Sequence, residues 1–287
     1  MARLLFVHAH PDDETLVNGV AMAHHVRLGD EVHVLTATLG EEGEVIPAEL
    51  AHLELPAKQP RPSDIRDPLA DVRRLELAGA AEVLGVASSQ VLAGNWRDSG
   101  MAGSLASRHP RAFSSAPVAD VGARVADVIR ALEPDVVVTY DEHGGYGHPD
   151  HIQTHRATVA AVASLPKEQR PRLFATLTPW SWAEQDRQSC LETHFEGLST
   201  LDHSDPYPPS VVADDRVTHR LVDPECVPIQ AAALRCHRTQ VTVLDDAHYT
   251  LSNDIVALMS GREGFAELDP ETGRTMPAER TLTGLLG

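Results

Sequence analysis

Cysteine is scarce in this chain. Cys190, Cys226 and Cys236 all fall in the last third, with no CxxC spacing. An odd, sparse set does not read as a disulfide framework, and ordinary reduced thiols are expected. Positive charge is also short: 24 Lys and Arg stand against 42 Asp and Glu, a formal net charge of −18. Nucleic-acid binding draws on clustered basic residues, as does attachment to anionic membranes, so neither partner is expected. A small, neutral, polar substrate fits better. No apolar run is long enough to span a bilayer. Arg3-Leu4-Leu5-Phe6-Val7 reads as a strand and is too short for a signal peptide, so a cytoplasmic location is expected. Internal repeats, low-complexity segments and obvious linkers are absent as well.

What is present is a 287-residue chain with 42% hydrophobic residues, enough for one large α/β domain or a domain with an appendage. Short apolar runs alternate with helical patterns. Leu4–Val7, Glu31–Ala37 and Asp135–Tyr140 predict strands. Thr15–Arg27, Asp71–Leu84 (capped by Gly85), Val118–Leu132 and His151–Ala163 predict helices. The alternation implies βαβ units, hence an α/β fold: a Rossmann-like, mostly parallel sheet with helices on both faces. Beyond Leu165 the pattern weakens, with strands at Leu173–Leu177 and Arg216–Val222 and a helix at Pro228–His237. Residues 1–165 are therefore expected to form the core, and 166–287 a smaller α+β portion packed on it. Two long irregular stretches, Gly40–Pro62 and Gly94–Pro117, are expected to wall a site.

Two segments carry the chemistry, and each follows a predicted strand: His8-Ala9-His10-Pro11-Asp12-Asp13-Glu14 and Gly144-Gly145-Tyr146-Gly147-His148-Pro149-Asp150-His151. Ligands of open α/β sheets bind outside the carboxyl ends of the strands, so both loops should meet over one crevice. A catalytic zinc takes three His or carboxylate ligands and leaves a position open. His10 and Asp13, three apart on a tight turn, can converge on one ion; either His148 or His151 can supply the third ligand. Pro149 suits the first turn of a helix whose positive end faces the crevice. Gly144-Gly145 lacks the lysine and the spacing of a phosphate loop, and no glycine fingerprint follows the first strand, which excludes a nucleotide site. His8 is expected to be a hydrogen-bonded structural histidine, Glu14 to orient a neighbour or cap the first helix, and Glu41, Glu42 and Glu44 to form a solvated acidic loop.

The pair HPDDE and GGYGHPDH resembles the LmbE-like, or N-acetylglucosaminyl-phosphatidylinositol de-N-acetylase, family. The resemblance implies His10, Asp13 and His151 as zinc ligands and Asp12 as general base, with His155 outside the ligand set. Iron(II) suits the same ligands. On that mechanism Tyr146 and a protonated His148 stabilise the oxyanion, and Asp150 keeps His148 cationic. DVRRLELAGAAEVLG (71–85) and WRDSGM (96–101) also resemble family segments, which implies Arg73 and Asp98 as substrate contacts and gives the C-terminal portion a role in shaping the pocket. Thr38–Ile46 and WRDSGMAG (96–103) are similar to the mycothiol branch. That branch deacetylates N-acetylglucosaminyl-inositol to glucosaminyl-inositol and acetate. A mycothiol S-conjugate amidase or a natural-product amino-sugar deacetylase would share the chemistry. The amidase branch tends to carry proline where this chain has Gly147, which favours the deacetylase. A sugar-binding protein without catalysis is disfavoured, because His10, Asp12, Asp13 and His151 are all present.

Overall fold

A computed structural model of the chain describes residues 1–55, 67–277 and 281–286. The end of the Gly40–Pro62 stretch, from 56 onwards, lies outside the described residues. In chain order the elements are β1 (Arg3–His8), α1 (Asp13–Arg27), β2 (Glu31–Thr36), α2 (Pro68–Leu84), β3 (Ser88–Val91), α3 (Val118–Leu132), β4 (Val136–Tyr140), α4 (Gly144–Gly147) and α5 (Pro149–Ala163). Then follow β5 (Arg172–Pro179), α6 (Trp180–Leu191), β6 (Val211–Val212), β7 (His219–Val222), α7 (Val227–Leu234), β8 (Thr242–Val243), β9 (His248–Thr250), β10 (Val256–Leu258), β11 (Arg262–Leu268) and β12 (Leu282–Thr283).

The main sheet runs β3-β2-β1-β4-β5-β11-β7-β12, with β6 beside the end of β5. Pairing is parallel from β3 to β5; β11 is antiparallel to both β5 and β7. The sheet is thus mostly parallel, as the alternation implied, and it continues across residue 165 into the C-terminal portion. Alternate side chains of each central strand reach opposite faces. Leu4, Phe6, Val34, Val136 and Val138 pack with Val20 and Met22 of α1 and Leu84 of α2. Leu5, Val7, Leu35 and Val137 pack with Val121, Val125 and Ile129 of α3 and Ala157 of α5. Each such large side chain removed from water stabilises the fold by about 1.5–3 kcal/mol.

Helix ends are set locally. Asp67 accepts the Leu69 and Ala70 N–H groups at 3.0 and 3.3 Å, Pro68 opens α2, and Gly85 ends it at φ 73°. Sequence patterning missed β3, α6 and β11. β3 is the polar Ser-Ser-Gln-Val, and the central β11 carries charge at Arg262, Glu263 and Glu267 and a glycine at Gly264. The three cysteines are free. Among the described residues no helix is long and apolar enough to cross a membrane.

Candidate metal and hydrolytic site

β1 and β4 are neighbours, with Leu4 beside Val136 and Phe6 beside Val138. From β1 the chain moves to β2 on one side, whereas β4 lies on the other, so the crevice between them is the switch point of the sheet. The two motif loops leave the carboxyl ends of these strands and meet there.

His10 Nδ1, Asp13 Oδ2 and His151 Nε2 stand 3.3–3.4 Å from one another. Donors around a tetrahedral zinc at bonds of 2.0–2.1 Å are separated by about 3.4 Å, so the three atoms fit that ion. His148 also offers a ring nitrogen within 4.8 Å of those of His10 and His151. All four side chains are buried. Asp13 is further fixed by Tyr140, whose hydroxyl donates to Oδ2 at 2.8 Å and accepts the Ala9 N–H at 2.9 Å. Tyr140, which the sequence did not single out, also stacks on His151 at 4.3 Å. It is the last residue of β4, the position where a strand side chain reaches the neighbouring loop. Against the penalty of burial, His151 and His10 hold the Asp13 carboxyl well below the carboxylate range.

Asp150 departs from its expected role. Its carboxylate stands 3.3 Å from His10 Nε2 and accepts the Ser99 N–H at 2.9 Å, while its own N–H donates to His148 Nδ1 at 3.2 Å. It therefore orients the far nitrogen of a candidate ligand, the carboxylate–histidine arrangement of metal sites. His148 caps α5 and is not held cationic. Burial first, then the imidazoles of His10 and His151, push it down to about 3. With Nδ1 accepting, the neutral ring carries its proton on Nε2.

Asp12 lies at φ 103° and ψ −37°, backbone space that few non-glycine residues adopt. Loss of hydration and the neighbouring Asp13 push its carboxyl up to about 8. A divalent cation in the site acts in the opposite direction. Glu14 does orient its neighbour: Oε2 accepts the Asp12 N–H at 3.0 Å and Oε1 pairs with His237 Nε2 at 2.7 Å. His155 stays outside the ligand set, its Nδ1 at 2.8 Å from the Tyr140 carbonyl.

His8 is a buried structural histidine: burial lowers its pKa to about 4, against Asp13, Glu14 and a hydrogen bond with the Asn18 side chain, and it rests edge-on against Tyr140. The expectation for the acidic loop is corrected. Glu41 and Glu42 turn inward. Glu41 accepts the Asp98 N–H at 2.9 Å, and Glu42 lies 3.3 Å from Arg97; only Glu44 is exposed. Arg73 and Asp98 both lie at the site but are 3% and 5% exposed. The Arg73 guanidinium donates to the Gly40 and Glu44 carbonyls, leaving Nε without a partner. Asp98 Oδ1 stands 3.5 Å from His10 Nε2 and accepts the Gly100 N–H. Tyr146 is 57% exposed at the crevice mouth. Gly147 lies at φ 97°, which proline, locked near about −65°, does not reach.

A cavity of about 410 Å³ opens beside Asp13, Tyr146 and His151, walled by Leu16, Trp182 and Tyr249. The C-terminal portion thus does line a recess next to the motif loops.

Fold and site together define a class: doubly wound α/β proteins with an acidic and imidazole cluster suited to a divalent cation at the sheet's switch point. The chain belongs to the PIG-L, or GlcNAc-PI de-N-acetylase, family, whose model matches residues 5–162. It is 43% identical to the 1D-myo-inositol 2-acetamido-2-deoxy-alpha-D-glucopyranoside deacetylase of Thermomonospora curvata, over 94% of this chain and 92% of that one. Identity to the enzyme of the same name from Actinosynnema mirum is 41%, over 99% and 97%. Among solved structures, the A40926 pseudoaglycone deacetylase Dbv21 shares the fold, with a TM-score of 0.53 at 18% identity over 93% of this chain and 96% of that one.

Proposed function

We propose that the protein is a metal-dependent deacetylase that hydrolyses the N-acetyl group of N-acetylglucosaminyl-inositol, releasing glucosaminyl-inositol and acetate. Identity of 41–43% along nearly the full length of two deacetylases of that substrate carries the reading. The convergence of His10, Asp13 and His151 supports its chemistry. These three residues would hold the ion, zinc in our reading and iron(II) as an alternative in the cell. The bound ion supplies a Lewis acid and an acidified water.

The chain's own residues do the rest. Asp12, as the general base, takes a proton from the attacking water. Neutral His148, through Nε2–H, and the Tyr146 hydroxyl donate hydrogen bonds to the carbonyl oxygen as negative charge develops there. Because His148 is neutral, the proton reaching the leaving amine comes back from Asp12. Asp150 keeps His10 oriented. The sugar lies on the side of Asp98 and Arg73.

A second reading, cleavage of a mycothiol S-conjugate, is favoured by the cavity of about 410 Å³, which has room for an acyl group larger than acetyl. Zinc-loaded protein and an Asp12→Ala variant, each given both substrates, decide between the two. Acetate release that Asp12→Ala abolishes supports the deacetylase and its base. Faster cleavage of the conjugate supports the second reading, and turnover of neither overturns both substrates.

A further inference from the structure

The strained backbone of Asp12 is held from an unexpected distance in the chain. φ at this residue is the rotation between its own Cα and the peptide plane that joins Pro11 to Asp12. Both polar groups of that plane are bonded to side chains. Its N–H donates to Glu14 Oε2 at 3.0 Å, and its carbonyl accepts from Gln240 Nε2. Glu14 is fixed in turn: its Oε1 accepts from Thr15 Oγ1 at 2.6 Å and pairs with His237 Nε2 at 2.7 Å. His237 is fully buried, and its Nδ1 has no partner. The segment that carries His237 and Gln240 is anchored by Thr239, whose N–H and hydroxyl both donate to Glu76 of α2, at 2.9 and 2.6 Å. None of these side chains stands among the candidate metal ligands.

We propose that His237, acting through Glu14, and Gln240 are positioning residues for Asp12: they clamp the Pro11–Asp12 peptide plane and so keep the base in its left-handed conformation. The inference rests on Asp12 being the general base. A non-glycine residue persists at such a φ only where its surroundings over-determine it. Released from the clamp, the turn relaxes and the carboxylate leaves its place opposite the attacking water. The ligand side chains of His10 and Asp13 keep their own bonds to Tyr140, His151 and Asp150.

The test uses the zinc-loaded full chain. His237→Leu, His237→Gln and Gln240→Leu are made in the wild-type and Asp12→Ala backgrounds. Acetate release is measured alongside zinc affinity by competition with a chelating dye. His237→Leu and Gln240→Leu should each lower kcat roughly tenfold or more, as expected for displacement of a reacting group. KM and zinc affinity should stay within about twofold. Glutamine at 237 keeps an N–H for Glu14 and should recover most of the rate. In the Asp12→Ala background the second substitution should change the residual rate by less than about twofold, since its effect passes through the missing carboxylate.

Equal losses in both backgrounds, or a loss that follows lost zinc, overturn the proposal. If His237→Leu does not fold, His237→Gln and Gln240→Leu carry the comparison. If the wild type releases no acetate, the functional reading fails by itself, and crystal structures of the wild type and Gln240→Leu decide the positioning. Relaxation of the Asp12 φ out of the left-handed region supports the clamp, and an unchanged φ overturns it.

Discussion

The two loops at the switch point do similar work with opposite means. The first, residues 8–14, places a non-glycine residue at φ 103° and holds it by side chains drawn from 14, 237 and 240. The second, residues 141–151, makes its turns with Gly144, Gly145 and Gly147, all at positive φ, where glycine carries no steric penalty. It leaves Tyr146 at the mouth of the crevice. The helices that follow differ as well. α5 runs unbroken from a proline at its first turn and the His148 cap, while α1 breaks at Asn18, where φ is −133° and ψ 18°. Strain supported from outside fixes one conformation of the proposed base. Glycine turns leave the proposed donor, Tyr146, at the crevice mouth.

Substitutions can break this contrast. Asp12→Ala should have the largest effect, lowering kcat by about 10³-fold, within the range for a lost general base, with zinc retained. Steady-state kinetics on metal-loaded protein check this. A loss of only a few-fold would mean that the strained residue is not the base. Gly144→Ala comes next. Its Cβ would lie 2.7 Å from His151 Cβ and from the Ile152 nitrogen, on a backbone at φ 63°. Overpacking together with positive φ should cost about 2–4 kcal/mol of stability and weaken zinc binding through His151. Urea unfolding and dye competition measure both, and an unaffected variant would show that the second loop adapts where we expect it to be tight. Tyr146→Phe should be milder, lowering kcat roughly tenfold with melting unchanged, because the side chain stands at the crevice mouth and more than half of the residue is exposed. A rise in KM alone would make Tyr146 a binding group.

The sequence made the first loop's residues legible but not their supports. HPDDE and HPDH announce themselves because a metal site needs several donors at short spacing after strands. The apolar runs of β1, β2 and β4 and the periodicity of α3 likewise follow from burial on fixed faces. His237 and Gln240 meet the loop from more than 220 positions away, and no local pattern encodes that pairing. The same holds for Asp150: its place two residues from His148 suggested a partner within its own loop, yet folding turned its carboxylate to His10, 140 residues distant. β11 was hidden for another reason. A strand inside a sheet is expected to be apolar, but Glu263 is charged by type and Gly264 is a glycine because a Cβ there would meet the Leu177 carbonyl at 2.5 Å.

Glu263 also explains how the broken helix of the pair survives. The kink at Asn18 frees the Val20 and Ala21 N–H groups, and Glu263 accepts them at 2.8 and 3.1 Å; Gln230 donates to the Thr15 carbonyl at 3.0 Å. Burial at the wall of the cavity pushes the Glu263 carboxyl up to about 8, against the pull of these N–H bonds and of Asn18. A carboxyl whose folded pKa lies above its unfolded value binds its proton more tightly in the native state. Its contribution to stability is therefore complete below the ordinary 4.5 and is lost as pH rises through about 8. Unfolding free energy should fall across that window by roughly 1 kcal/mol per pH unit. Glu263→Gln keeps one acceptor and never ionises, so it should start less stable at pH 5 and lose less on the way to pH 8. Urea titrations of both proteins at three pH values measure the difference between the two slopes, in which every other titrating group cancels. Parallel slopes would mean that Glu263 is ionised in the fold throughout, and that the break in α1 is capped by a charge.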